Sequence, residues 1–87
     1  MTESRNESYR FAIDIQYKSH IRDPRGETIR RVLSEKEGLP VKSLRVGKSI
    51  HIEVEANNEE EAIKIVEEAC KRLLVNPVVE RYEVRKL

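Results

Sequence analysis

Tyr9, Phe11, Ile13, Ile15 and Tyr17 alternate with Arg10, Ala12, Asp14 and Gln16. That period of two predicts a half-buried strand whose large side chains share one face. The pattern then changes to helical spacing: Ile29, Val32 and Leu33 form an apolar stripe, with Arg30, Arg31 and Glu35 outside it. Asp23 can cap this helix, and Pro24 suits its first position because the missing N–H would be unpaired there anyway. Gly38, followed by Pro40, marks the stop, so the helix is predicted over 24–37.

A weaker strand follows from Val41 to Val46, and a clear one carries Ile50, Ile52, Val54 and Ala56 on one face. Two readings join them. In one, Gly47-Lys48 is a two-residue hairpin turn with glycine at its first central position. In the other, 42–56 is a single long, bent strand with Gly47 at a bulge. Periodicity does not choose between them.

Asn57-Asn58 ahead of Glu59, Glu60 and Glu61 predicts a second helix start, with acids at the positive end of the helix dipole. Asn58 and Glu61 have the spacing of a capping interaction. Ala62, Ile63, Val66, Ala69, Cys70, Leu73 and Leu74 form its apolar face, and Lys71 and Arg72 fall in its last turns. Asn76-Pro77 ends it. A last strand over about 78–85 places Tyr82 and Val84 on one face and Arg81, Glu83 and Arg85 on the other.

The predicted order is β-α-β-β-α-β. Its simplest packing is an α+β two-layer sandwich, a ferredoxin-like antiparallel sheet with both helices on one face. The first and third strands would be central. The opposite face would carry Arg10, Asp14, Gln16, Arg45, His51, Glu53, Glu55 and Arg81, polar and mixed in sign. Residues 1–8 are polar and predict a disordered tail; 9–87 predict a single domain.

Composition narrows the function. Apolar and charged residues each make up 38% of the 87, so the core is small, and oligomerisation would supply further burial. The 17 basic and 16 acidic residues leave a net charge of +1, with no general attraction to nucleic acid or anionic membrane. The single cysteine, Cys70, excludes an internal disulfide and a cysteine-cluster metal site. No apolar run approaches the ~20 residues of a membrane helix. The polar start lacks the apolar core of a signal peptide, and a cytoplasmic protein is the expectation.

Candidate chemistry is sparse. Gly47-Lys48-Ser49 ends like a phosphate loop, but position 42, where that signature needs glycine, is Lys42. A strand follows instead of the helix whose N-terminal amides would hold phosphate. His20 and His51 lack a ligand constellation and read as surface histidines. Cys70 lies on an apolar stripe and reads as core. Glu59-Glu60-Glu61 is accounted for by the helix start. RNA-recognition domains of this element order stack bases on exposed sheet aromatics, whereas Tyr9, Phe11 and Tyr17 share the helix-facing side here. Catalytic, metal and cofactor residues are therefore expected to be absent.

Four segments resemble a known family. They are Asp23-Pro24-Arg25-Gly26-Glu27-Thr28-Ile29, Leu44-Arg45-Val46-Gly47-Lys48-Ser49-Ile50, Glu60-Glu61-Ala62, and Cys70 through Tyr82 with Asn76-Pro77 at its centre. In order and spacing, over about residues 9–84, they resemble the small PurS-type subunit of phosphoribosylformylglycinamidine synthase. Arg25 stands where that family more often has glutamine, and His51 where a carboxylate is commoner. The resemblance implies a ligase complex of de novo purine synthesis that uses glutamine and ATP. Its large synthetase subunit binds ATP and magnesium and runs the ligase chemistry; a glutaminase subunit releases ammonia. The small subunit carries no catalytic residue, forms a homodimer or dimer of dimers, bridges the other two and supports ammonia transfer. The motif maps onto Asp23, Pro24, Gly26, Arg45, Gly47, Lys48, Asn76 and Pro77. Asp23, Gly26, Arg45, Gly47, Lys48, Asn76 and Pro77 are the candidate partner contacts, with Arg45 and Lys48 foremost. Physics alone leaves a second reading, a small-ligand-binding regulatory module of the same fold.

Overall fold

A computed structural model describes residues 7–87. Three strands form an antiparallel sheet in the order β2-β1-β3: β1 (Glu7–Tyr17), β2 (Lys48–Ala56) and β3 (Glu80–Lys86). Two helices complete the chain, α1 (Pro24–Glu35) and α2 (Glu59–Ala69), the latter running into a π-helical turn, Cys70–Leu74. The first strand is central, as its pattern predicts. Its residues pair from Glu7↔Ala56 to Ile15↔Lys48 on one side and from Phe11↔Lys86 to Tyr17↔Glu80 on the other. Glu7 and Ser8 pair with β2, which corrects the expected tail at those two positions; residues 1–6 of it lie outside the described residues.

The alternation of β1 is realised in the core. Phe11, Ile13 and Ile15 are buried against Ala62, Val66, Cys70 and Val75, with Ile50, Ile52, Val54, Tyr82 and Val84 packed around them. Each such side chain contributes roughly 1.5–3 kcal/mol through its removal from water. Ala12, on the opposite face, is equally inaccessible. It sits in register between His51 and Arg85, so a methyl is covered by two long neighbours.

Helix ends follow their sequence signals. The Asp23 side chain accepts from the Gly26 amide and Pro24 occupies the first turn. Asn58 Oδ1 accepts from the Glu61 amide at 2.8 Å, while Glu61 Oε1 takes the Asn57 amide at 2.9 Å, a reciprocal capping arrangement. Gly38 stands at φ +71°, the left-handed conformation that ends α1 and that other residues adopt at a cost. The second helix departs from plain α geometry: Val75 N–H reaches back to the Cys70 carbonyl at 3.1 Å. The wider turn presents Leu73 outward, 85% exposed, where helical spacing had placed it in the core.

Two expectations are corrected. Residues 41–46 form no strand in this chain, so the sheet has three strands rather than four, and Gly47-Lys48 is not a hairpin. The chain enters β2 from an extended arm instead, as the single-strand reading supposed in part. Second, α1 does not lie on the sheet beside α2. The extensive contacts join β1 to β2, β1 to β3 and α2 to β2, and α1 makes none of comparable extent. The molecule is correspondingly long, 64 × 26 × 14 Å.

Candidate functional site at the junction of β1, α1 and β2

The arm, α1 and the loop after β1 meet at one end of the sheet, and Asp23 ties them. Its Oδ1 accepts from the Gly26 amide at 3.1 Å and its Oδ2 from the Val46 amide at 2.7 Å. One carboxylate therefore caps α1 and pins the arm. These two backbone donors, Val46 first, hold the buried Asp23 carboxyl below the usual carboxylate range. Gly26 is required by this packing: a Cβ there would overlap the Asp23 carboxylate and come within 2.8 Å of the Leu44 carbonyl oxygen.

Arg45 braces the same corner from outside. Its Nη2 donates to the carbonyls of Lys18 at 3.1 Å and Ile21 at 2.9 Å. Together with Asp23, it keeps the arm running straight alongside residues 18–23, which removes the freedom a hairpin would need. Gly47 follows in close contact with β1, since a Cβ would stand 2.6 Å from the Ile15 carbonyl oxygen. Glycine here serves backbone approach rather than a turn.

Lys48 opens β2. Its ammonium lies 3.7 Å from Glu80 Oε2, an ion pair that spans from β2 to β3 across the end of β1. The other oxygen of Glu80 accepts the Asn76 amide at 2.8 Å, and Asn76 Oδ1 accepts from Val78 N–H at 3.1 Å. Asn76-Pro77 is thus linked to Lys48 through Glu80. All seven candidate residues gather at this one end of the molecule. Three of them, Asp23, Gly47 and Lys48, line an open cavity of about 410 Å³ together with Ile15, Tyr17, Arg25 and Glu80. Glu80 was not singled out in the sequence; its only signal is its spacing, one helical turn past Asn76.

The corner offers hydrogen-bonding and charged groups engaged chiefly with one another. Among the described residues, no three His, Cys, Asp or Glu side chains form a group able to hold a metal ion. Cys70 is buried, and burial raises its thiol pKa, which disfavours the nucleophilic thiolate. Tyr82 donates to Glu67 and is pushed up to about 12, chiefly by that hydrogen bond, as a latch between β3 and α2. No helix of the described residues is long and apolar enough to cross a membrane.

This geometry defines a class: a small α+β chain with a rigid corner, an outlying helix and, among the described residues, no assembled nucleophile–base pair. Comparison with known proteins specifies it. Residues 10–87 match the family model described as PurS, phosphoribosylformylglycinamidine (FGAM) synthase. The chain is 70% identical over 79 residues to the phosphoribosylformylglycinamidine synthase subunit PurS of Thermotoga maritima, covering 91% of this chain and 96% of that one. The PurS subunit of Methanocaldococcus jannaschii is 39% identical over 77 residues, covering 88% and 93%. Among solved structures, the purS subunit of Thermotoga maritima superposes with a TM-score of 0.91 at 66% identity, covering 95% of each chain. A chain in the structure of PurLQS from the same organism gives 0.90 at 68%, covering 93% of this chain and 99% of that one. The chain belongs to the PurS family, the PurS subunits of phosphoribosylformylglycinamidine synthase, and acts in purine biosynthesis as part of that ligase. The regulatory ligand-binding reading is not favoured.

Proposed function

We propose that this chain is the non-catalytic bridge of a glutamine-dependent phosphoribosylformylglycinamidine synthase. It joins a large synthetase subunit, which holds ATP and magnesium, to a glutaminase subunit in the cytoplasm. The observation that carries this reading is the 68% identical chain within the Thermotoga maritima PurLQS structure. Two features of the fold support it. The motif residues are spent on shaping one rigid corner, as a docking element requires, rather than on positioning a nucleophile against a base. The helix α1 leaves Ile29 and Val32 more than a third exposed, and Leu39 just beyond its end is about half exposed, apolar surface that another chain can cover.

The same uncovered helix supports self-association, as a homodimer or a dimer of dimers. A bridge also serves chemistry. Ammonia released by the glutaminase must reach the synthetase unprotonated, because the ammonium ion has no lone pair with which to attack. Holding the two subunits in one assembly shortens that transfer. Arg45 and Lys48, on the exposed rim of the corner, are the foremost contacts with the partner subunits.

Reconstitution tests the proposal. The isolated chain has no synthase activity, and adding it to the synthetase and glutaminase restores glutamine-dependent synthesis. With ammonium salts in place of glutamine, the synthetase needs the bridge far less. Full assembly and full glutamine-dependent turnover without this chain would remove the reading.

A further inference from the structure

The segment that joins α2 to β3 has its polarity reversed. Surface turns are built mostly from small and polar residues. Here Asn76 and Glu80 are engaged in bonds within the turn, and large apolar side chains face the water. Leu73 is 85% exposed and Val78 is 74% exposed, the two highest values among the large apolar side chains of the described residues.

This exposure is not looseness. Every backbone N–H from 75 to 80 has a partner, Pro77 having none to give. Val75 donates to the Cys70 carbonyl at 3.1 Å, and Asn76 donates to Glu80 Oε1 at 2.8 Å. Val78 donates to Asn76 Oδ1 at 3.1 Å, while Val79 and Glu80 both donate to the Asn76 carbonyl, at 3.2 and 2.8 Å. Lys18 N–H donates to the Val79 carbonyl at 2.8 Å and ties the turn to the loop after β1. Tyr82 donates to Glu67, so the flanking elements are joined as well. The π-helical turn Cys70–Leu74 sets the direction of Leu73, and such turns occur frequently at functional sites. A segment held this firmly shows its apolar groups in a fixed arrangement, so a partner that covers them has little to order.

The border of this surface is cationic. Residues 69–79 carry Lys71 and Arg72, both exposed, and no Asp or Glu. Arg72 pairs with Glu68 at 2.8 Å, and Lys71 forms no ion pair among the described residues. The complementary surface is an apolar cleft bordered by carboxylates. The contact is also small: two apolar side chains and two cations stand at the lower end of interface sizes, where association is reversible. We infer that Leu73 and Val78, flanked by Lys71 and Arg72, seat in a carboxylate-bordered apolar cleft of the glutaminase subunit. This rests on the bridging reading and gives one of its two contacts a surface. Of the two partners, the glutaminase is the one that synthesis from ammonium salts can do without, so a small, reversible contact suits it. Leu73 and Val78 lie on different elements from Ile29 and Val32 of α1, so docking here leaves self-association unaltered.

Titration of the glutaminase into the reconstituted synthetase and full chain, followed by glutamine-dependent synthesis, tests this. The double variant Leu73→Glu/Val78→Glu sets carboxylates against carboxylates and raises the half-saturating glutaminase concentration about tenfold or more. Lys71→Glu/Arg72→Glu raises it about threefold or more, an effect that shrinks at high salt. Leu73→Met/Val78→Ile keeps the apolar surface and stays within about twofold of wild type. In sedimentation, Leu73→Glu/Val78→Glu still associates with itself and with the synthetase. Its far-UV circular dichroism and melting match wild type, since both side chains are exposed. An unchanged glutaminase titration overturns the inference and leaves the bridging reading standing. Loss of the synthetase or of self-association in its place does the same, because the surface then belongs to that contact. Full glutamine-dependent synthesis without this chain overturns both readings.

Discussion

Asp23 shows how much one buried carboxylate can organise. Two oxygens meet two backbone amides on different segments, one at the start of α1 and one in the arm. Its charged form is favoured by the fold, so its pKa lies below the unfolded value. The stabilisation is therefore present above the ordinary aspartate range near pH 3.8 and is lost as pH falls through the lower folded value. Replacing Asp23 by Asn keeps one acceptor but sets an NH2 group against either the Gly26 or the Val46 amide. Thermal melting of Asp23→Asn is expected to show a lower midpoint at neutral pH and a smaller further loss between pH 5 and 2 than the wild type. Sequence spacing identified the cap to Gly26, because capping is local. The bond to Val46 was not legible, since nothing in the chain states which distant amide will come to a carboxylate's second oxygen. Arg45 is similar: the resemblance made it a candidate partner contact, and the fold engages it with the Lys18 and Ile21 carbonyls.

At the scale of elements, β1 was legible at once and 41–46 was misleading. Five alternating large residues leave one way to bury a face, and Phe11, Ile13 and Ile15 are all buried. Leu44 and Val46 also alternate, but a strand needs a neighbour, and pairing is not encoded in the segment itself. Gly47 was taken by one reading as a turn residue, whereas it is small because β2 enters against the Ile15 carbonyl. Gly47→Ala is therefore expected to cost about 1–3 kcal/mol in urea unfolding through the forced shift of the strand. Hydrogen exchange should quicken at the Lys48 end of β2, next to the substitution, and less at the Ala56 end. The π-helical turn after α2 explains another miss. One wider turn changes the phase of the helix, so Leu73 leaves the stripe that Ala62, Val66 and Cys70 keep. No residue between Cys70 and Leu74 announces that change.

At the scale of the whole molecule, the chain is larger than a compact body of its length. Its Cα radius of gyration is 17.9 Å, against about 12 Å for a compact domain of this size. The excess comes from α1 and the arm lying beyond the sheet. Two copies fused into one compact body would give about 16 Å. Small-angle scattering of the chain at concentrations where it is monomeric is therefore expected to return a value close to 17.9 Å. For the proposed bridging role this shape has a use. An elongated body can touch two partners at once without a large core of its own.

Apart from 41–46, the amino-acid sequence alone determined the kinds of elements, their caps and the central place of β1. It also determined the family, through four short motifs in register. These are local matters, set by side-chain period, by capping chemistry within a helical turn and by spacing along the chain. Tertiary structure alone decided that Asp23 joins α1 to the arm, that Glu80 joins Lys48 to Asn76, and that α1 stays off its own sheet. Those outcomes depend on which distant groups meet. An amphipathic helix announces that its apolar side will be covered, but not whether the covering surface belongs to its own chain or to another.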